Sequence, residues 1–167
     1  AVVGELALEG TARPIKGALS IAIEAAKNGA IRGLVVPFAN ASEAAVVESL
    51  QVIPVHSLSQ AIAFFAGELE VSAVPCELER LFAKFSLYDL DFADVRGQES
   101  AKRALTIAAA GRHNLAMIGP PGSGKTMLAQ RMPTILPPLS AGESIETTRI
   151  YSVLGQLPAD QPLMARR

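Results

Sequence analysis

Cysteine and long apolar runs are scarce in this sequence, and each scarcity excludes something. Cys76 is the single cysteine in 167 residues. An internal disulfide and a cysteine-rich metal site are therefore excluded, and a reducing, intracellular setting is the simplest reading, with Cys76 a bystander. There is no run of about twenty apolar residues. The amino end, Ala1-Val2-Val3-Gly4-Glu5, also lacks a basic region followed by an apolar core. Neither a membrane span nor a signal peptide is predicted, and a cytoplasmic location is expected. An excess of one charge is missing too. Four basic residues stand against seven acidic ones up to Pro75, and eleven against nine from Cys76 onward. Neither half is the strongly basic body of an autonomous nucleic-acid binder. What is present is 50% hydrophobic and 19% charged, the balance of a folded chain long enough for one medium domain or two small units.

The most informative stretch is Gly119-Pro120-Pro121-Gly122-Ser123-Gly124-Lys125-Thr126, preceded by the apolar run Leu115-Ala116-Met117-Ile118 and followed by Met127-Leu128-Ala129-Gln130-Arg131. A glycine, four residues, then Gly-Lys-Thr between a predicted strand and a predicted helix is the phosphate-loop (Walker A) pattern. A loop poor in Cβ atoms lets main-chain N–H groups converge on phosphate oxygens, and the following helix points its positive end there. In that geometry Lys125 lies along the β- and γ-phosphates of ATP, and the Thr126 hydroxyl holds a bridging Mg²⁺.

The rest of the chain predicts an α/β fold. Glu5 to Leu8 alternates polar and apolar residues as a short strand, and Pro14 and Gly17 introduce a helix from Ala18 to Lys27 that stops at Asn28-Gly29. Leu34-Val35-Val36 reads as a buried parallel strand. Further expectations are a helix from Ser42 through Leu50, a strand at Val52 to Val55, and a helix to Ala66 opened by a capping box of Ser57 and Gln60. Leu78, Leu81, Phe82 and Phe85 are spaced for a short amphipathic helix, lying either in a linker or on a core. A helix over Glu99 to Ala110 carries Ala101, Ala104, Leu105 and Ala108 on its buried face. After the loop, Thr126 to Met132 is helical, Pro133 and Pro137-Pro138 break it, and Ser140 with Glu143 caps a last helix to Gly155. The chain opens without methionine and closes soon after that helix, so it reads as a piece of something longer.

Asp91-Phe92-Ala93-Asp94-Val95-Arg96-Gly97-Gln98-Glu99, the phosphate loop, and Ile145-Glu146-Thr147-Thr148-Arg149-Ile150-Tyr151-Ser152-Val153 together resemble the opening of the ATPase module in ComM-like (YifB-type) proteins, the magnesium-chelatase-related AAA+ ATPases. The resemblance implies that Val95 and Gln98 stand beside the adenine. Gly4 to Leu8, Arg13 to Gly17, Val35-Val36-Pro37 and Asn40 resemble the same family's Lon-protease-like front domain. It thus implies a partial Lon-like domain over 1–67, a linker with a short helix over 68–90, and over 91–167 the start of an AAA+ module cut before its Walker B strand. In active Lon-type peptidases a lysine activates a serine; Leu19 stands at the lysine position here and cannot accept a proton. Lys16, the nearest amine, reads as a solvated turn residue, and no catalytic residue is assigned.

ATP and Mg²⁺ are the cofactors this reading implies, and a homo-oligomer, a hexameric ring in the whole protein, is the implied assembly. The family resemblance alone suggests DNA as a partner and a motor acting in recombination or transformation. No apolar strand followed by two acidic residues comes after Thr126, and Arg149 reads as an exposed helix residue, so the chain by itself is expected to bind ATP without turning it over. The alternative from another class is a non-catalytic Lon-like interaction or assembly domain with a vestigial phosphate loop.

Overall fold

Apolar runs of two different periods alternate along the front of the chain, and strands and helices alternate with them. The computed structural model describes residues 1–158 and 160–167. Strand β1 (Glu5–Leu6) pairs antiparallel with β2 (Ala12–Arg13). Helix α1 (Ala18–Lys27) buries Ala18, Leu19, Ala22 and Ala25 and ends at Asn28, as its spacing requires. Strand β3 (Gly33–Pro37) leads through α2 (Phe38–Ala44) to β4 (Gln51–Val55), and the two strands pair in parallel with Leu34 opposite Val52. One face of this pair carries Leu34, Val36 and Val52 against Ala22, Ala25, Ala41 and Ala44. The other carries Val35, Ile53 and Val55 against Ala61 of α3 (Leu58–Ala66). Burial on both faces is the reason β3 reads as an unbroken apolar run. Leu34, Val36 and Val52 are wholly buried, each stabilising the fold by roughly 2 kcal/mol.

Two helix starts differ from expectation. Helix α2 begins at Phe38 and ends at Ala44, not at Ser42 and Leu50. Pro37, held at φ −54° by its ring, leads directly into the helix without a polar cap. At α3 the Ser57 hydroxyl accepts from the Gln60 N–H at 3.2 Å, but the Gln60 side chain accepts from His56 N at 2.7 Å, so the box closes one residue early.

Helix α4 (Leu78–Phe85) lays Leu78, Leu81 and Phe82 against Leu19, Val46 and Leu163, which puts it on a core. A second core gathers Val95, Leu105 of α5 (Glu99–Gly111) and Leu128 of α6 (Lys125–Arg131), flanked by 3₁₀ turns at Phe92–Asp94 and Met132–Ile135. Ala108 and Ala109 complete the buried face of α5, while Ala104 faces solvent. Leu115 to Ile118, expected as a strand, belongs to no sheet: among the described residues the only sheets are β1–β2 and β3–β4. A ladder needs a neighbour to take its N–H and C=O groups, and here Ile118 is 98% exposed.

Helix α7 (Ala141–Leu154) has a reciprocal capping box at Ser140 and Glu143 and stops at Gly155, whose φ is 68°. Its faces are inverted. Ser144, Thr148 and Ser152 are buried, while Ile150, Val153 and Leu154 are more than half exposed. The inversion is tolerated because each hydroxyl has a partner: Ser144 donates to Met164 O at 2.5 Å, Thr148 to Ser144 O at 2.6 Å, and Ser152 to the Glu43 carboxylate. Helix α7 packs on α1, and Leu163 is wholly buried beside Leu19 and Val46, so these contacts cross the positions 67 and 90. No helix among the described residues is long and apolar enough to cross a membrane.

Candidate functional site

The loop from Gly119 turns into α6 through two left-handed bends, Gly122 at φ 79° and Gly124 at φ 83°. Any L-residue with a side chain would be strained there, so these positions need glycine. Gly124 heads α6 with no side-chain cap, and the first turn of α6 contains no acidic residue. The first N–H groups of a helix lack intrahelical acceptors. The local field is therefore positive where α6 follows a loop whose residues 119–123 are exposed.

Lys125 is folded over its own loop. Its ammonium donates to Gly119 O and Pro120 O, both at 2.8 Å, and to Ser123 Oγ at 3.1 Å. This holds the charge at the loop's centre. Thr126 follows on the exposed side. A Cβ added at Gly119 would lie 3.1 Å from Ser123 Oγ, which shows how closely the loop folds on itself. Beside it opens a cleft of about 390 Å³ lined by Gln98, Ala101, Leu105, Met117, Ser123 and Lys125, among others. Glycines, open amides, a central ammonium and an exposed hydroxyl form a donor set suited to the oxygens of a phosphate chain and an accompanying hard cation.

The structure brings Gln98 to the loop: its amide nitrogen lies 3.5 Å from Ser123 O. Val95 sits behind the loop at 2% exposure, packed with Leu105 and Leu128. Pro120, Pro121 and Gly122 form the exposed outer rim. Leu19 is a core residue whose N–H donates to Glu43 Oε1 at 2.9 Å, and Lys16 lies over Gly155 at the far end of α7. Arg149 is exposed on the outer side of α7. Among the described residues no group of three His, Cys, Asp or Glu side chains is arranged to hold a metal.

Sequence reasoning missed a buried polar cluster. Asn40 pairs with the main chain of Ile15 through two bonds of 2.9 Å, and Glu43 accepts from Leu19 N, Asn40 Nδ2 and Ser152 Oγ. The signal was a single carboxylate in the small-residue stretch Ala41-Ser42-Glu43-Ala44-Ala45-Val46. Arg131 was missed as well: its Nε is buried 3.9 Å from Asp94 Oδ2, and its Nη1 donates to Met127 O at 3.4 Å.

The family profile described as "Magnesium chelatase, subunit ChlI" matches residues 91–167, and one described as "Subunit ChlI of Mg-chelatase" matches residues 1–40. An uncharacterized protein of Mycobacterium tuberculosis is 42% identical over 165 residues, 99% of this chain and 32% of the relative. The uncharacterized protein YifB of Salmonella typhimurium is 42% identical over 156 residues, 92% of this chain and 29% of the relative. Competence protein ComM of Haemophilus influenzae is 39% identical over 153 residues, 91% of this chain and 30% of the relative. The chain thus spans about a third of the length of these relatives.

Proposed function

Because this chain belongs to the magnesium-chelatase-related proteins of ComM and YifB type, we propose that Gly119 to Thr126 is the phosphate grip of a Mg²⁺–ATP site. The observation that carries this is Lys125 anchored on two loop carbonyls between positive-φ glycines at the uncapped start of α6. Main-chain N–H groups and the Lys125 ammonium bind the β- and γ-phosphates, and the Thr126 hydroxyl holds Mg²⁺, which neutralises phosphate charge. The cleft beside the loop is the place for the nucleoside end, walled by Leu105 and Leu128, with Val95 packed behind them as apolar backing.

Titration of Mg²⁺–ATP into the wild type and into Lys125→Ala tests this reading. Loss of charge-assisted hydrogen bonds of about 1.5–3 kcal/mol weakens binding roughly ten- to a hundred-fold. A wild type that binds no more tightly than the variant overturns it. No strand follows α6 among the described residues. Binding without turnover by this chain alone is therefore part of the proposal, and phosphate release by the purified chain would refute that part.

For the whole protein we infer an ATP-driven oligomeric AAA+ motor acting on DNA. The Haemophilus influenzae relative is a competence protein by name, which favours that direction. The charge distribution of this piece contributes nothing to it, so salt-dependent DNA binding has to be measured on the full-length protein. One observation favours a second reading, a Lon-like assembly module. Helix α7 turns Ile150, Val153 and Leu154 outward, an apolar face on an element locked to the front of the chain. Unchanged self-association after Ile150→Glu would argue against it.

A further inference from the structure

Gln98 does two local jobs badly. It heads α5 without capping it, and it adopts a left-handed bend, φ 54° and ψ 41°, that glycine adopts without strain. Among the described residues only Gln98 and Arg112 combine positive φ with a side chain. What glutamine brings that a better bend-former lacks is reach. Its amide nitrogen lies 3.5 Å from the carbonyl oxygen of Ser123, twenty-five residues on, and 2.8 Å from where a Cβ on Gly124 would stand.

That carbonyl shares a peptide plane with the Gly124 N–H. In a trans peptide the C=O and N–H point in opposite directions, so fixing one aims the other. With Ser123 O turned toward Gln98, the Gly124 N–H is turned away from it. Within the loop, Ser123 N donates to Pro120 O at 3.3 Å and Lys125 to Gly119 and Pro120. These bonds tie the loop to itself. Gln98 is the tie that reaches it from another element.

From this we infer that Gln98 is a positioning residue for the phosphate grip, holding the Ser123–Gly124 peptide in its donating orientation, and is not a reader of the base. The inference rests on the phosphate-site reading above. The bend at Gln98 is retained because the amide must arrive beneath the loop at this place, and Gly124 must lack a side chain because the amide fills that space.

The test compares two ligands, Mg²⁺–ATP and Mg²⁺–tripolyphosphate, on the wild type, Gln98→Gly and Gln98→Asn. Both substitutes accept the left-handed bend, and neither reaches Ser123, so folding, checked by circular dichroism and thermal melting, is expected to be retained. The expected result is that both variants lose affinity for both ligands by the same factor, roughly three- to ten-fold for a neutral hydrogen bond. Loss for ATP with unchanged tripolyphosphate binding would make Gln98 a base contact and overturn the inference. Unchanged affinity for both would overturn it as well. A wild type that binds neither ligand better than Lys125→Ala would remove the phosphate site itself, a failure distinct from the other two.

Discussion

Ser152 donates its hydroxyl hydrogen to the carboxylate of Glu43, 109 residues earlier in the chain. Both residues are buried, and the same carboxylate oxygen accepts the Leu19 N–H at 2.9 Å. One side chain of α2 thereby fastens α1 and α7 together. Gly17 N adds a second tie by donating to Ser152 O at 3.2 Å.

Removing either end of this lock is expected to destabilise the whole chain. Ser152→Ala should cost about 1.5–3 kcal/mol, the range for a hydrogen bond to a charged group. Glu43→Ala should cost more, because it also strips the acceptor from the buried Leu19 N–H. Urea unfolding of both singles and the double variant forms a thermodynamic cycle. Coupling above about 0.5 kcal/mol is expected for residues in direct contact. Strict additivity would mean that the two side chains do not act together.

The two loop glycines should respond differently to alanine. At Gly122 a Cβ meets nothing within 4 Å, so Gly122→Ala carries the left-handed backbone cost alone, about 1–2 kcal/mol. At Gly124 the new Cβ would lie 2.8 Å from the Gln98 amide. Gly124→Ala must displace Gln98 or the loop, and should weaken Mg²⁺–ATP binding more than Gly122→Ala does. Isothermal titration of the two variants decides this, and equal losses would show that the Gln98 contact is incidental.

Legibility in the sequence followed the range of the force at work. Helix α1 and the caps of α7 were readable because Asn28, Ser140, Glu143 and Gly155 act on neighbours within a turn of helix. The bends ahead of α6 are local in the same way: Gly122 and Gly124 take positive φ, and Lys125 bonds to carbonyls within its own loop. The start of α2 was obscured because Ser42 resembles a cap while Pro37 does the work by fixing φ. Leu115 to Ile118 carries an apolar strand's composition, but composition supplies no pairing partner. The buried face of α7 was least accessible. Serine and threonine at positions 144, 148 and 152 carry no apolar signal, and their burial depends on Glu43 and Met164, from distant parts of the chain, bonding their hydroxyls.

Glu143 gives the pH dependence a definite sign. Bonds from the Ser140 main-chain N–H and its hydroxyl, helped by the Arg167 guanidinium at 3.1 Å, hold its carboxyl below the ordinary value of 4.5. The folded chain therefore gives up this proton more readily than the unfolded one. Its contribution is complete above about pH 4.5 and is lost as the pH falls through the folded value. Thermal melting across that acid range should fall less steeply for Glu143→Gln than for the wild type. Parallel curves would show that the capping box at Ser140 is not formed in solution.

Gly155 ends α7 at φ 68° with Lys16 lying across it, and an added Cβ would sit 2.7 Å from Lys16 Cε. Two costs are possible, and their sizes decide between them. Lys16 is exposed and its tail can swing aside, whereas the left-handed backbone cannot relax without losing the bonds from Gly155 N and Gln156 N to Ser152 O and Tyr151 O. The backbone cost, about 1–2 kcal/mol, should dominate. Gly155→Ala is therefore expected to lower stability by that amount in the wild type and by nearly as much when Lys16→Ala is also present, as read from denaturant midpoints. Substantial rescue by Lys16→Ala would mean that the lysine, and not the bend, is the rigid partner at this helix end.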